Sequence, residues 1–176
     1  MKIQEVYELA TRGGATDFAK VGEICARLGP YCLVEGLAVN CYVEPVYTLD
    51  AVFVVVAAKM AELKRELSQS GFSVEEFAHS LYAQARGSEL RIQFTSDPRY
   101  QLFLDGAQER EVLGVQVRVA RLEDIVQGKL WAYADPQRRL TKRKKDELDL
   151  LRLAEAYPRL RTLYPPELQK QLDGQP

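Results

Sequence analysis

The sequence predicts an α/β fold, a small mixed sheet flanked by helices, and three observations predict it. Leu49 to Val56 is a continuous apolar, β-branched run of strand length, the composition of a strand buried on both faces. Ala57 to Gln69 follows it at helical spacing, with Met60, Leu63 and Leu67 on one stripe. Two further helical patterns, Leu122 to Ala134 and Lys142 to Ala156, close the chain after a set of short strands.

In order, residues 2 to 29 carry two helical patterns broken at Gly13-Gly14. The second follows the N-capping types Thr16-Asp17, sets Phe18, Val21, Ile24 and Leu28 on one stripe, and ends at Gly29-Pro30. Tyr31 to Val34 is a short buried strand. Residues 37 to 43 read as a helix that stops before Pro45, because the residue ahead of a proline is pushed out of helical conformation. The helix from Ala57 ends at Ser70-Gly71. Phe72 to Ala85 and Ser88 to Thr95 read as two strands around an Arg-Gly-Ser turn. Asp97-Pro98 opens a short helix, since proline is tolerated in a first turn. Glu111 to Leu113 and Val115 to Ala120 form a hairpin through Gly114. Pro158 ends the last long helix. One domain over residues 1–164 is expected, with a flexible tail over 165–176.

At 176 residues and 47% hydrophobic composition the chain can bury one core. A net charge of −1 gives no global pull toward nucleic acid or an anionic membrane, so such binding needs a local patch. Cys25, Cys32 and Cys41 contain no Cys-x-x-Cys pair, and the only histidine is His79. That composition argues against structural zinc and a disulfide framework and suits a reducing, cytoplasmic setting. The start, Met-Lys-Ile-Gln-Glu, has no apolar h-region. Ala51 to Ala58, the longest apolar run, falls far short of the roughly 20 residues that span a bilayer.

Chemistry concentrates between Val34 and Val54. A glycine at a strand end lets backbone approach a ligand, and Gly36 stands there. Asp50 heads the apolar strand, where a bare carboxylate costs several kcal/mol unless it is paired, at an edge or bound to a cation. Glu35-Gly36-Leu37-Ala38-Val39-Asn40, spaced from Thr48-Leu49-Asp50-Ala51, resembles the first motif of the nucleotidyltransferase superfamily. Within it the chain most resembles the minimal, AbiEii-like (abortive-infection toxin) enzymes. There a Gly-Gly or Gly-Ser turn precedes a strand bearing Asp-x-Asp, and the carboxylates hold Mg²⁺. Positions 50 and 52 share a strand face, so the spacing suits one cation. Here position 52 is Val52, whose methyls cannot ligate, and Glu35 stands at the place of the first glycine.

The two closing helices carry misplaced charges. Lys129 lies within roughly 60° of Leu122, Ile125, Val126 and Tyr133 on the wheel, so it must snorkel, meet a buried acid or face a ligand. Asp146 sits between Leu150 and Leu153, and a buried Lys129–Asp146 pair answers both oddities. Asp149 reads as a helix-surface partner of Lys145 or Arg152. The basic run from Arg138 to Lys145 is ill placed against the helix dipole, which suggests either a solvated face or a nearby polyanion such as triphosphate or RNA. Scattered tyrosines offer no stacking platform.

Lys129-Leu130-Trp131-Ala132 resembles the family's Lys-x-x-Ala motif, and Lys145-Asp146-Glu147-Leu148-Asp149 its closing basic-Asp motif. The resemblance implies a nucleotidyltransferase fold with these helices packed over the site. It implies Mg²⁺ on Asp50, and triphosphate cradled by the Gly36 backbone, Asn40, Thr48 and Lys142. Lys129 would neutralise phosphate, and Asp146 would orient it or act as base. The implied reaction is transfer from an NTP to an RNA (tRNA-like) or protein hydroxyl. The family's third carboxylate matches Gln93, which hydrogen-bonds but adds no anionic charge; Asp97 lies nearby in sequence. Val52 and Gln93 therefore favour the alternative, a catalytically inactive nucleotide- or RNA-binding protein, or an interaction partner of a cognate antitoxin protein.

Overall fold

A computed structural model describes residues 2–174; Met1 and residues 175–176 at the end of the expected tail lie outside the described residues. Helix α1 (Ile3–Thr11) and α2 (Gly14–Leu28) precede strand β1 (Tyr31–Val34), the short α3 (Glu35–Val39) and β2 (Asp50–Val55). A 3-10 turn at Ala57–Lys59 leads into α4 (Met60–Gln69). Strands β3 (Phe72–Phe77), β4 (Ser80–Ala85) and β5 (Arg91–Thr95) follow, then a 3-10 helix at Pro98–Leu104. Strands β6 (Gln108–Val112) and β7 (Val115–Val119) precede α5 (Leu122–Ala134), α6 (Leu140–Ala156) and, after a 3-10 stretch, α7 (Pro166–Asp173).

The strands form one mixed sheet in the order β3-β4-β5-β2-β1-β7-β6. β2 runs antiparallel to β1 and parallel to β5, and β1 is parallel to β7. The apolar run at 51–55 therefore lies mid-sheet, with Ala51, Phe53, Val54 and Val55 buried and Val52 half-buried on the more open face. Phe18 of α2, Phe53 of β2 and Phe94 of β5 are fully buried, with ring centroids 5.7 Å apart along the series. The α/β expectation holds, with helices flanking a seven-stranded mixed sheet. Among the described residues, no helix is long and apolar enough to cross a membrane.

Several local expectations shift. Phe72 to Ala85 is two strands, because the chain reverses at Ala78-His79, so this region holds three strands and not two. The helix expected over 37–43 spans only Glu35–Val39. α2 begins at Gly14, two residues before Thr16, because Gly13 turns the chain at φ 104°, a left-handed conformation that glycine adopts without strain. The stretch expected as tail contains α7, whose Leu168 is fully buried; its apolar spacing, Leu168 to Leu172, was masked by the proline and polar residues around it.

Candidate functional site

The site lies where the C-terminal ends of β1 and the exposed face of β2 and β5 meet α5 and α6. Strand alternation puts Asp50 and Val52 of β2, and Arg91, Gln93 and Thr95 of β5, on one face. Register fixes the rows: Asp50 lies opposite Arg91, and Val34, Val52, Gln93 and Tyr82 form the next row. Between this floor and the helices is a cavity of about 580 Å³, within the size range of small-molecule sites.

Asp50 is engaged on both oxygens. Arg91 Nε donates to Oδ1 at 2.8 Å, and Lys142 Nζ, reaching from α6, donates to Oδ2 at 2.9 Å. Burial pushes the Asp50 carboxyl up, but these two cations outweigh it and hold its pKa below the usual range. Thr48 Oγ1 accepts from the Asp50 amide, and Asn40 bonds the Val46 backbone in both directions, at 2.8 and 3.0 Å, pinning the loop that leads into β2.

Lys129 is the other centre. It follows Leu122 by seven residues and Ile125 by four, so the apolar stripe of α5 carries it inward. Its Nζ meets Glu35 at 2.6 Å, Asp149 at 2.9 Å and Asp146 at 3.0 Å. Burial disfavours its charge, yet the three carboxylates prevail and raise its pKa above the ordinary lysine range. Glu35 is held low for the reciprocal reason, Lys129 overcoming its burial. Asp146, 1% exposed on its side chain, also accepts from Arg138 Nε at 2.6 Å, and Asp149 accepts from Arg152 at 2.9 Å. The Lys129–Asp146 pair predicted from the helical wheels is present. Asp149 pairs with Arg152 as expected and also joins the cluster.

Glu35 was the member hardest to foresee. It directly follows β1 and adopts φ 66°, a left-handed conformation costing a non-glycine residue about 1 kcal/mol. That backbone turn, at the place where the resembling motif has glycine, aims its carboxylate at Lys129. Gly36 itself lies within α3, and a Cβ there would meet only ordinary van der Waals contact with Thr48 at 3.5 Å. Protein packing does not require that glycine.

The charges of the cavity wall balance. Glu35, Asp50, Asp97, Asp135, Asp146 and Asp149 face Arg91, Arg99, Lys129, Arg138, Lys142 and Lys145. Lys145 has no ion-pair partner among the described residues. Asp97, the carboxylate near Gln93 in sequence, accepts from the amide and the guanidinium of Arg99. Contrary to the scattered impression of the sequence, an aromatic wall also forms: Trp131 stacks at 5° on Phe103, Tyr100 packs edge-on to both, and the Arg99 guanidinium lies 5.4 Å from the Trp131 centroid. The spacing of Tyr100, Phe103 and Trp131 in sequence gives no hint of it, since the 3-10 stretch and α5 are brought together only by the fold.

The resemblance implies a bound Mg²⁺ at Asp50. Mg²⁺ takes oxygen ligands in octahedral array. Around Asp50 there are Val52, which has none, and Gln93, which has one neutral oxygen, while two cations already occupy the carboxylate. Among the described residues no group of three or more His, Cys, Asp or Glu side chains is arranged to hold a metal ion. Three carboxylates do converge at Glu35, Asp146 and Asp149, but an ammonium sits between them. The residues do not fit a resident Mg²⁺.

No protein-family model matches the sequence, and no curated protein matches it. Solved structures do. The antibiotic-resistance factor ANT(2'')-Ia superposes with a TM-score of 0.59 at 15% identity, covering 92% of this chain and 97% of that one. The chain has the nucleotidyltransferase fold. An antigenic nucleotidyltransferase-like protein from Paracoccidioides brasiliensis matches this fold with a TM-score of 0.55 at 16% identity, over 93% of this chain and 87% of its own. The lincosamide antibiotic adenylyltransferase LnuA matches at 0.50 and 12% identity, over 72% and 86%. At these identities the likeness concerns the nucleotidyltransferase fold and not the reaction.

Proposed function

We propose that this chain binds a nucleotide in the cavity between the sheet and α5–α6, with its own cations serving where a metal would, and that it does not carry out metal-dependent transfer. One observation carries the reading: both oxygens of Asp50 are held by Arg91 and Lys142, with Val52 and Gln93 beside them where carboxylates would be needed. Phosphoryl and nucleotidyl transfer depend on neutralising charge at the reacting phosphate through precisely placed groups. A lone, doubly paired carboxylate is poorly suited to hold the ion that does so. Lys129 and Asp146, assigned by resemblance to phosphate neutralisation and base chemistry, read instead as a structural ion-pair network. An ammonium shared by three carboxylates has little charge left for phosphate, and both oxygens of Asp146 are already engaged by Lys129 and Arg138.

Binding is supported by the fold, the size of the cavity and the placement of its cations. Arg91 and Lys142 can swing from Asp50 to a phosphate, and Lys145 stands unpaired beside them. Because the wall is charge-balanced, a triphosphate must compete with these internal pairs. Modest, salt-sensitive affinity follows.

The competing reading, Mg²⁺-dependent transfer from an NTP to an RNA or protein hydroxyl, is separable by experiment. Thermal unfolding with each of the four NTPs, with and without Mg²⁺, runs beside transfer of label from α-labelled NTPs to tRNA and to the protein itself. Stabilisation by nucleotide that Mg²⁺ leaves unchanged, without labelling, supports the proposal. Mg²⁺-dependent label that Asp50→Ala abolishes overturns it in favour of an enzyme. No stabilisation by any nucleotide removes the binding reading altogether. A second ligand class, RNA crossing the start of α6, is favoured by exposed Arg139 and Lys145, neither of which has an ion-pair partner among the described residues. Fluorescence anisotropy of labelled tRNA at two salt concentrations tests it, as phosphate contacts make affinity fall steeply with salt. The AbiEii-like kinship and a cognate antitoxin rest on the sequence motifs alone and belong to this second reading.

A further inference from the structure

The cavity has two chemically distinct floors. At the Asp50–Arg91 row the surface is charged, with Lys142 reaching Asp50 from α6 and Lys145 lining the same cavity. One row on, about 7 Å along the strands, Val52, Gln93 and Tyr82 lie side by side across β2, β5 and β4. This second row is neutral and consists of an aliphatic, an amide and an aromatic side chain. In a metal-binding version of the face, the same row would be anionic and hydrated, hostile to an uncharged ring. The Gln93 side-chain amide is half-buried and meets no hydrogen-bond partner among the described residues, although it carries both a donor and an acceptor. Tyr82 is 43% exposed, its ring steadied edge-on by Phe77 at 5.4 Å.

The aromatic wall borders the same cavity. Arg99 is fixed in plane by Asp97, with Nη2 to Oδ2 at 2.8 Å, and packs against Trp131 and Tyr100. Trp131 is backed in turn by Phe103. A guanidinium locked in this way offers a preformed plane for stacking.

Resting on the nucleotide-binding reading above, we infer that the Val52–Gln93–Tyr82 row is a nucleobase subsite: a planar heteroaromatic ring lies on it, Gln93 hydrogen-bonds the ring edge, and the Arg99–Trp131–Tyr100 wall borders it. The phosphates then sit one row away, over Arg91, Lys142 and Lys145, with room for a pentose between. A row without carboxylates serves recognition in place of metal binding.

The test compares calorimetric affinities of ATP, GTP, CTP, UTP and inorganic tripolyphosphate for the wild-type protein, Gln93→Leu and Tyr82→Ala. The NTPs are expected to bind the wild type more tightly than tripolyphosphate, and unequally among themselves, because an amide pairs better with some base edges than others. Gln93→Leu should compress the spread among the four NTPs by three- to tenfold, the worth of a hydrogen bond or so. Tyr82→Ala should weaken all four by roughly tenfold, as loss of a stacking partner does, while tripolyphosphate changes little. Both positions face the cavity from the sheet surface, and circular dichroism verifies folding of each variant. Tripolyphosphate binding as tightly as every NTP overturns the base subsite and leaves phosphate binding standing. An unchanged base ranking in Gln93→Leu overturns the role of the amide. If none of the five ligands binds, the nucleotide-binding reading fails, and this one with it.

Discussion

Replacing Lys129 by methionine keeps a long side chain in α5 and removes the ammonium from among Glu35, Asp146 and Asp149. The three carboxylates are not stranded equally. Asp146 keeps Arg138 at 2.6 Å, and Asp149 keeps Arg152 at 2.9 Å. Glu35 has no second ion-pair partner among the described residues. The change therefore resembles breaking one buried pair by removing one partner, which costs about 3–5 kcal/mol. Because the Glu35 side chain keeps 19% of its exposure, the lower end, about 3 kcal/mol, is expected. For a chain of this length that is a drop of about 6–12 °C in melting temperature. Urea denaturation at neutral and acid pH measures it. The pH dependence has a definite sign. Glu35 titrates below its ordinary value in the folded protein, so its stabilising contribution is present above its unfolded pKa of about 4.3 and is lost as pH falls through the folded value. Lys129→Met lacks that contribution already, so the gap between it and the wild type should narrow on acidification. Lys129 itself has a raised pKa, and its contribution is lost only in strong alkali, outside this window. Adding Glu35→Gln to Lys129→Met should restore about 2 kcal/mol by removing the stranded charge. A Lys129→Met protein within about 1 kcal/mol of wild type at pH 7, or a gap indifferent to acid, would refute the cluster as a source of stability.

Other outcomes follow from the same geometry. Gly36→Ala should fold with stability equal to or slightly above wild type by urea titration, since its Cβ meets only ordinary contact and alanine favours helix; weakened ATP binding in this variant would mark Gly36 as the place where ligand meets backbone. Gly14→Ala should lose about 1–3 kcal/mol, because a Cβ there would stand 2.3 Å from Thr11 Oγ1, which accepts from the Gly14 amide and donates to Tyr7 O. Asp50, held low by Lys142 and Arg91, contributes stability above its unfolded value near 3.9 that is lost as pH falls further; Asp50→Asn should accordingly flatten the acid limb of a melting-temperature profile.

Much of this was legible in the sequence because the decisive signals are local and periodic. The β-branched run of β2, the apolar stripes of α2, α4 and α5, and the misfit charges Lys129 and Asp146 each break or keep a period visible in one strand or one helix. The pairing of the last two was readable because each is a buried charge that needs the other. What escaped depends on long-range register. Arg91 and Asp50 are neighbours only because β2 and β5 pair in parallel, with the β3–β4 hairpin between them in sequence. Arg91 alternates with Gln93, so its face was inferable once that pairing is known, but nothing in the sequence dictates the pairing. Glu35 escaped for a different reason: its role depends on a left-handed backbone angle that sequence patterns assign to glycine.

Val52 and Gln93 bring no carboxylate to the face that Asp50 shares, and Arg91 and Lys142 hold Asp50 itself, which sets what building a metal site there requires. Val52→Asp with Gln93→Glu places three carboxylates on one sheet face, but Arg91 and Lys142, which already hold Asp50, line the same cavity. Internal ammonium and guanidinium groups, present at high effective concentration, would pair with the new acids before a strongly hydrated Mg²⁺ sheds its water. The double variant should therefore show no Mg²⁺-dependent change in melting temperature. Adding Arg91→Gln and Lys142→Gln leaves three adjacent carboxylates repelling one another, and this protein should be less stable without metal and stabilised by Mg²⁺, by about 2.7 kcal/mol once the ion reaches a hundredfold excess over its dissociation constant. If the double variant alone responds to Mg²⁺, the cations are incidental neighbours of Asp50 rather than its replacement for a metal. If the quadruple variant folds and ignores Mg²⁺, the geometry of the face, and not its charge, is what departs from a metal site.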